Sequence, residues 1–256
     1  MSFEPTMLVA SRLDERDEHP LISMALADFL APVPVTLVGL YQVPDQTAIE
    51  QAREQFEAEA RGRLDALADP FRATGADIET RLTFTHDPAE TIAKIAADID
   101  RLAVLRPGAL DAVDRVLIAV RGGINVPAIA TVATALLADT SAAITLYHAA
   151  PADADERDED RYGTGEQALD ATERALIDAG IAPQRLSRTI ERADDPDATL
   201  IGTAANYDVL IIGEDQPTIA GRIFGETHER IAEQLTLPVV IVRRPTDKPP
   251  DDTNPQ

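Results

Sequence analysis

A glycine-rich stretch near the C-terminal end of the chain has the composition of a loop that binds phosphate. It reads GEDQPTIAGRIFGETHER and carries Gly213, Gly221 and Gly225 between an apolar run and a predicted helix. Glycine lets the backbone approach an anion closely, and the N-terminus of a helix offers that anion free N–H groups. The stretch could therefore bind a nucleotide or another small anion.

Two arginines form the second group of candidate ligand-binding residues. Arg12 and Arg121 each end a short apolar run, and Arg121 is followed by Gly122 and Gly123. A guanidinium binds phosphate or carboxylate equally well, so each arginine either holds an anionic ligand or pairs with a carboxylate of this acidic chain. Catalysis has weaker support, because no nucleophile stands beside a base, the chain has no cysteine, and no metal-ligand spacing relates its histidines: His19, His86, His148 and His228.

Composition narrows the classes of partner. The 256 residues contain 23 Lys and Arg against 45 Asp and Glu, a net charge of −22, and Lys94 and Lys248 are the two lysines. Such a surface repels nucleic acids and anionic membranes, so we expect neither nucleic-acid binding nor direct membrane insertion. The acidic, lysine-poor composition resembles that of proteins from halophilic archaea. With no signal sequence and no long apolar run, we expect a cytoplasmic protein.

The chain contains an internal repeat at an offset of roughly 108 residues. Residues 86–105 align with residues 194–213, sharing Asp, Pro, Thr, Ala-Ala, Asp and Leu. Asp87 and Asp195 suit helix N-caps, each followed by a proline at the first helical position, and Glu90 would complete a capping box. Residues 46–68 and 165–179 are predicted amphipathic helices between strands.

Alternation of apolar runs with helices predicts an α/β fold with two repeated open parallel-sheet, Rossmann-like domains. Ligands in such sheets lie beyond the carboxyl ends of the strands, at the point where the strand order reverses. The final helix and strand, ending in Val239, Val240, Ile241 and Val242, occur in the second repeat alone. The tail, residues 246–256, is polar, rich in proline and predicted to be disordered.

The second repeat resembles the universal stress protein family. The resemblance rests on VDRVLIAVRGG at its start, then VLIIG, a glycine-bearing loop, FGETHERI and a closing LPVVIVRR. It implies tandem domains, a degenerate one at residues 1–112 and a five-stranded one at residues 113–245. Members that bind ATP carry an aspartate ending the first strand and the loop Gly-x2-Gly-x9-Gly-Ser/Thr.

This chain departs from that pattern. Arg121 stands near the aspartate position, Gln216 replaces the second glycine, Gly225 lies one residue early, and Glu226 replaces the Ser/Thr unless Thr227 serves. A carboxylate at a helix N-terminus would repel a triphosphate. The predicted degenerate pocket consists of these residues: Arg12, Val120, Arg121, Gly122, Gly213, Gln216, Gly225, Glu226 and Thr227.

These observations predict a non-catalytic regulatory or sensing module without a bound cofactor. In the family the fifth strand commonly pairs across a dimer interface, and residues 239–242 form an apolar strand at the expected sheet edge. We therefore expect a homodimer through this last strand. The alternatives are a protein that binds ATP, AMP or another small anion, and a soluble regulator of a membrane transporter.

Overall fold

The computed structural model describes residues 5–14, 22–98, 103–120, 125–152, 165–213 and 234–243. Its strands are β1 (Met7–Arg12), β2 (Val35–Gln42), β3 (Ile78–Thr85), β4 (Ala103–Arg106), β5 (Arg115–Ala119), β6 (Ala143–Pro151), β7 (Leu186–Ala193), β8 (Val209–Gly213) and β9 (Val239–Val242). Its α-helices are α1 (Met24–Leu30), α2 (Ile49–Thr74), α3 (Pro88–Asp98), α4 (Val126–Leu137), α5 (Gly165–Asp178) and α6 (Pro196–Ala204), with a short 3-10 helix at Pro183–Arg185.

All of these strands lie in one nine-stranded sheet with the order β3-β2-β1-β4-β9-β8-β5-β6-β7. Strands β1 to β4 are mutually parallel, as are β5 to β9. The order β3-β2-β1-β4 in the first part of the chain is matched by β7-β6-β5-β8 in the second. The prediction of an open parallel α/β sheet is confirmed, and the two parallel sets form a continuous sheet.

The last strand, β9, does not lie at a sheet edge. Val239 pairs with Leu210 of β8 on one side and with Arg106 of β4 on the other, and the contact with β4 is antiparallel. The prediction that Val239, Val240, Ile241 and Val242 pair with another chain is therefore wrong. Because residues 107–114 contain neither a helix nor a strand, β4 has an open edge, and β9 fills that edge within the chain.

The segment that follows β4 packs tightly against the residues that precede β9. The backbone N–H of Ala109 donates to the carbonyl of Thr236 at 2.7 Å, and Arg106 Nη1 donates to the carbonyl of Leu235 at 3.0 Å. A Cβ atom at Gly108 would lie 2.3 Å from the carbonyl carbon of Leu237. Glycine is required at this crossing, which fixes the antiparallel junction of β4 and β9.

Local sequence signals account for the helix boundaries. Asp195 caps α6 by accepting from the N–H groups of Asp197 and Ala198, and Asp87 accepts from the N–H of Glu90 at 2.9 Å, as predicted. The predicted capping box at Glu90 is wrong. The N–H of Asp87 donates instead to Thr85 Oγ1, and Glu90 forms an ion pair with Lys94 at 2.8 Å.

The helix predicted at residues 46–68 is α2, which runs six residues further and includes Pro70. It ends at Gly75, which has a positive φ of 76° and so adopts the left-handed conformation typical of a helix C-terminus. The helix predicted at residues 165–179 corresponds to α5.

One hydrophobic cluster contains buried residues from both parallel sets of strands. It includes Val9 and Leu37 from the first set and Ile118, Ile211 and Val240 from the second, all of them buried. Strands β8 and β9, at the centre of the sheet, contain no polar side chain, as expected for strands covered on both faces. The sheet therefore holds the ends of β1, β5 and β8 in fixed positions.

Candidate functional site

The strand order creates two places where a ligand could bind, and they lie at opposite edges of the sheet. The first switch point lies between the carboxyl ends of β1 and β4, and the second between those of β5 and β8. Since β4 and β9 are antiparallel, the two parallel sets run in opposite directions. Arg12 and Gly213, both predicted to be site residues, therefore belong to different sites.

At the first switch point, Arg12 binds groups of its own chain. Its Nη2 atom donates to Asp14 Oδ2 at 2.8 Å and to Gln42 Oε1 at 2.5 Å. Burial alone raises the pKa of the Asp14 carboxyl, but hydrogen bonds from Arg12 and from the backbone N–H of Gln42 outweigh it. The pKa of Asp14 therefore lies below its ordinary value of 3.8. Of the two interpretations of Arg12, the structure shows the pairing with a local carboxylate.

Leu13 occupies the space next to this ion pair. It is 2% exposed, and a Cβ atom at Gly39 of β2 would lie 2.6 Å from Leu13 Cδ1 and 3.1 Å from Leu64 Cδ1. Arg63 of α2 donates a hydrogen bond to the carbonyl of Leu13. Leu13 is therefore a core residue that packs the end of β1 against β2 and α2, beside the first switch point.

At the second switch point, Val120 follows directly on β5. Its side chain is 1% exposed, its N–H donates to the carbonyl of Tyr147 at 2.9 Å, and its carbonyl accepts from His148 Nδ1 at 2.9 Å. The His148 ring packs against Gly165 at the start of α5, where a Cβ atom would lie 2.2 Å from His148 Cδ2. Val120 therefore contributes a buried apolar side chain to this site, and both of its backbone groups are hydrogen-bonded to residues of β6.

Gly213, at the end of β8, lies against the start of α4. A Cβ atom at Gly213 would be 2.7 Å from Ile129 Cδ1 and 3.6 Å from Asn125 Nδ2. Asn125 is 7% exposed, and its Nδ2 donates to the carbonyl of Val242 at 3.0 Å. Gly213 thus allows close contact between β8 and α4, while Asn125 ties the start of α4 to the end of β9.

Sequence reasoning missed Asn125 and His148 as residues that shape this site. Asn125 precedes a Val-Pro dipeptide, a pattern that favours a helix N-cap. Its side chain makes no capping hydrogen bond and reaches a strand instead. Six predicted site residues lie outside the described residues: Arg121, Gly122, Gln216, Gly225, Glu226 and Thr227.

Tyr147 of β6 connects the two outer strands of the second parallel set. Tyr147 donates to Glu191 Oε2 at 2.8 Å, and burial together with this hydrogen bond raises the pKa of Tyr147 to about 12. The tyrosine thus stays protonated near neutral pH, and its hydrogen bond to Glu191 links the outer strand β7 to β6. Over the described ranges, no group of three or more His, Asp or Glu side chains could hold a metal ion.

An open parallel sheet with helices on both faces and ligand positions at its switch points defines a Rossmann-like α/β protein. The sequence model of the Universal stress protein family matches residues 112–243, more than half of the chain. The chain therefore belongs to the universal stress protein family.

Solved structures share this fold at low sequence identity. A universal stress protein from Archaeoglobus fulgidus DSM 4304 superposes with a TM-score of 0.64 at 15% identity, covering 94% of this chain and 97% of that one. A putative universal stress protein from Pseudomonas aeruginosa UCBPP-PA14 gives 0.53 at 15% identity, covering 93% and 92%. No curated protein sequence matches at a significant level. Among the described helices, none is both long and apolar enough to cross a bilayer.

Proposed function

We propose that this chain is a non-catalytic regulatory or sensing module that acts by association, with a degraded nucleotide pocket. The observation that carries the proposal is the first switch point. Arg12, at the end of β1, is held by Asp14 and Gln42, and the next residue, Leu13, is buried against β2 and α2. A nucleotide that used Arg12 as a ligand would have to break this ion pair, which opposes binding.

The second switch point supports the same proposal through its residue types. The family pattern asks for an aspartate near the end of β5, where this chain has the apolar Val120 followed by Arg121. Gln216 and Glu226 remove a glycine and a hydroxyl from the loop that would hold phosphates. Without these groups the pocket loses its contacts to the base and gains a negative charge near the phosphates.

Native mass spectrometry combined with a hydrolysis assay tests the proposal. The purified chain should give masses that are multiples of 27.6 kDa, with no additional mass from a bound adenine nucleotide. It should also release no phosphate from ATP. A bound nucleotide could be lost during ionisation. As a control, the same preparation is heated to denature the protein, and the small molecules it releases are analysed. Stoichiometric ATP or AMP in the released fraction, or phosphate release that follows the protein concentration, would contradict the proposal.

A second candidate function, binding of a nucleotide or another small anion, is favoured by one observation. Gly213 brings the end of β8 within contact of α4, and the N-cap residue of that helix, Asn125, makes no side-chain capping hydrogen bond. Thermal shift with ATP, AMP and inorganic phosphate, each at constant ionic strength, separates the two candidates. A rise in melting temperature with one of these anions but not with chloride would favour the second.

A further inference from the structure

The outer strand β3 presents unpaired backbone groups along one edge of the sheet. The N–H of Val35 donates to the carbonyl of Asp77, and the N–H of Val43 donates to the carbonyl of Thr85. Backbone groups alternate in direction along a strand, so the odd-numbered residues of β3 face β2 and the even-numbered ones face outward. Ile78, Thr80 and Leu82 thus direct their N–H and C=O groups away from the sheet, and no described strand lies beyond them.

The side chains of β3 are self-complementary about Thr80. Glu79 and Arg81 project from the same face, are 54% and 43% exposed, and pair with each other at 2.8 Å. In an antiparallel pairing centred on Thr80, Glu79 faces the partner's Arg81, and Ile78 faces the partner's Leu82. A shift of the centre by one residue instead places Glu79 opposite the partner's Glu79, or Arg81 opposite the partner's Arg81.

The direction of the backbone groups selects the same register. Pairing about Thr80 makes the outward-facing residues the hydrogen-bonded pairs, which exchange about six backbone hydrogen bonds in all. The Glu79 and Arg81 pairs then fall at the non-hydrogen-bonded positions, where opposing Cα atoms are only about 4.5 Å apart. Both the charges and the backbone are therefore satisfied by one arrangement.

We infer that β3 is the surface through which two copies of this chain associate, in an antiparallel pairing centred on Thr80. The occupant is a second copy because the pattern complements itself. The charge of −22 on each copy opposes their approach, and added salt weakens this long-range repulsion. The dimer therefore strengthens as salt concentration rises.

The other outer strand, β7, shows that this complementarity is not a general property of edge strands. The N–H of Ala152 donates to the carbonyl of Ala193, so the even-numbered residues of β7 face outward. Arg188 and Arg192 are even-numbered, whereas Glu191 is odd-numbered. A symmetric antiparallel pair matches even with even and odd with odd, so no register of β7 brings an arginine opposite the partner's glutamate.

Sedimentation equilibrium of the full chain, over a range of protein and KCl concentrations, tests the interface. We expect a reversible dimer of the 27.6 kDa chain. Thr80→Pro removes an N–H that points outward, so the ladder to β2 keeps its hydrogen bonds, and the dissociation constant should rise at least about tenfold. Ile190→Pro makes the matching change on β7 and should leave the constant unchanged. Circular dichroism of both variants checks that the fold is retained.

A charge exchange tests the register independently of proline. Arg81→Glu alone places two carboxylates opposite each other in each pair and should weaken the dimer. Glu79→Arg combined with Arg81→Glu restores opposite charges and should restore the wild-type constant. A wild-type chain that stays monomeric at every salt concentration, a dimer unaffected by Thr80→Pro, or a double variant as weak as the single one would each overturn the inference.

Discussion

Arg12, a candidate ligand-binding residue, forms an ion pair with Asp14 that stabilises the fold. Their ion pair of 2.8 Å at the end of β1 includes an Asp14 side chain that is 20% exposed. The pKa of Asp14 is lowered in the folded chain, so its contribution is fully present above the unfolded pKa near 3.8 and is lost as pH falls through the folded value. The ion pair thus stabilises the fold at neutral pH and not in strong acid.

Asp14→Asn should therefore lower the free energy of unfolding by about 1 kcal/mol at pH 7, the scale of a partly exposed ion pair. The difference between variant and wild type should hold from pH 7 down to about pH 5 and shrink below pH 4 as the wild-type carboxyl is protonated. Urea unfolding at each pH provides the measurement. A difference that does not change with pH would show that the carboxylate charge is not what stabilises this turn.

Gly108 is the residue at which the antiparallel junction is most sensitive to substitution. Gly108→Ala would place a methyl group 2.3 Å from the backbone of Leu237, which cannot rotate away, and should cost more than about 2 kcal/mol of stability. Gly202→Ala is the matched control, because no atom outside its own helix backbone lies within 4 Å of that Cβ position in α6 and alanine favours a helix. Equal melting temperatures for the two variants would argue against the tight crossing.

Among the elements, β9 connects the two parallel sets, and its centre is fully buried. Val240→Asp places a carboxylate at a 0% exposed position between β4 and β8, so it should unfold the chain instead of dissociating a dimer. Ile190→Asp, at a 43% exposed position on β7, makes a comparable change at an edge and should have little effect. Circular dichroism distinguishes them, and a folded, monomeric Val240→Asp would contradict the position of β9.

The sequence predicted those elements whose signal is local. The short apolar run that ends at Arg12 forms β1, Met7–Arg12. Asp87 and Asp195 cap their helices as expected. The position of β9 was not predictable in this way, because an apolar strand has the same composition at an edge and at the centre of a sheet, and its neighbour β4 lies far away in the chain.

The candidate site was less predictable than the fold. Gly213 was correctly placed at a strand end, but the contact that requires its glycine is with Ile129, a helix residue that no motif marks. The partners of Arg12 depend on the rotamers of Asp14 and Gln42, which neither spacing nor residue type determines. Residue patterns thus located the switch points, whereas side-chain packing determined which groups the residues there contact.

For the whole molecule, charge is the dominant property. A net charge of −22 on 256 residues repels itself more strongly in the compact state than in the unfolded chain. Raising KCl from 0.1 M to 2 M should therefore raise the urea midpoint, with most of the gain at the lower concentrations, where screening changes most. Sucrose serves as a control for effects that do not depend on charge. An unchanged midpoint would contradict the predicted adaptation to salt.

We propose that this chain acts by association and not by nucleotide binding. Calorimetric titration with ATP, at the salt concentration where the chain is most stable, tests this proposal most directly. We expect no heat beyond dilution for wild type, whereas Gln216→Gly with Glu226→Gly, which restores the glycine spacing before Thr227, should gain affinity. Saturable heat at one ATP per wild-type chain, with a melting temperature that rises as ATP is added, would contradict the proposal.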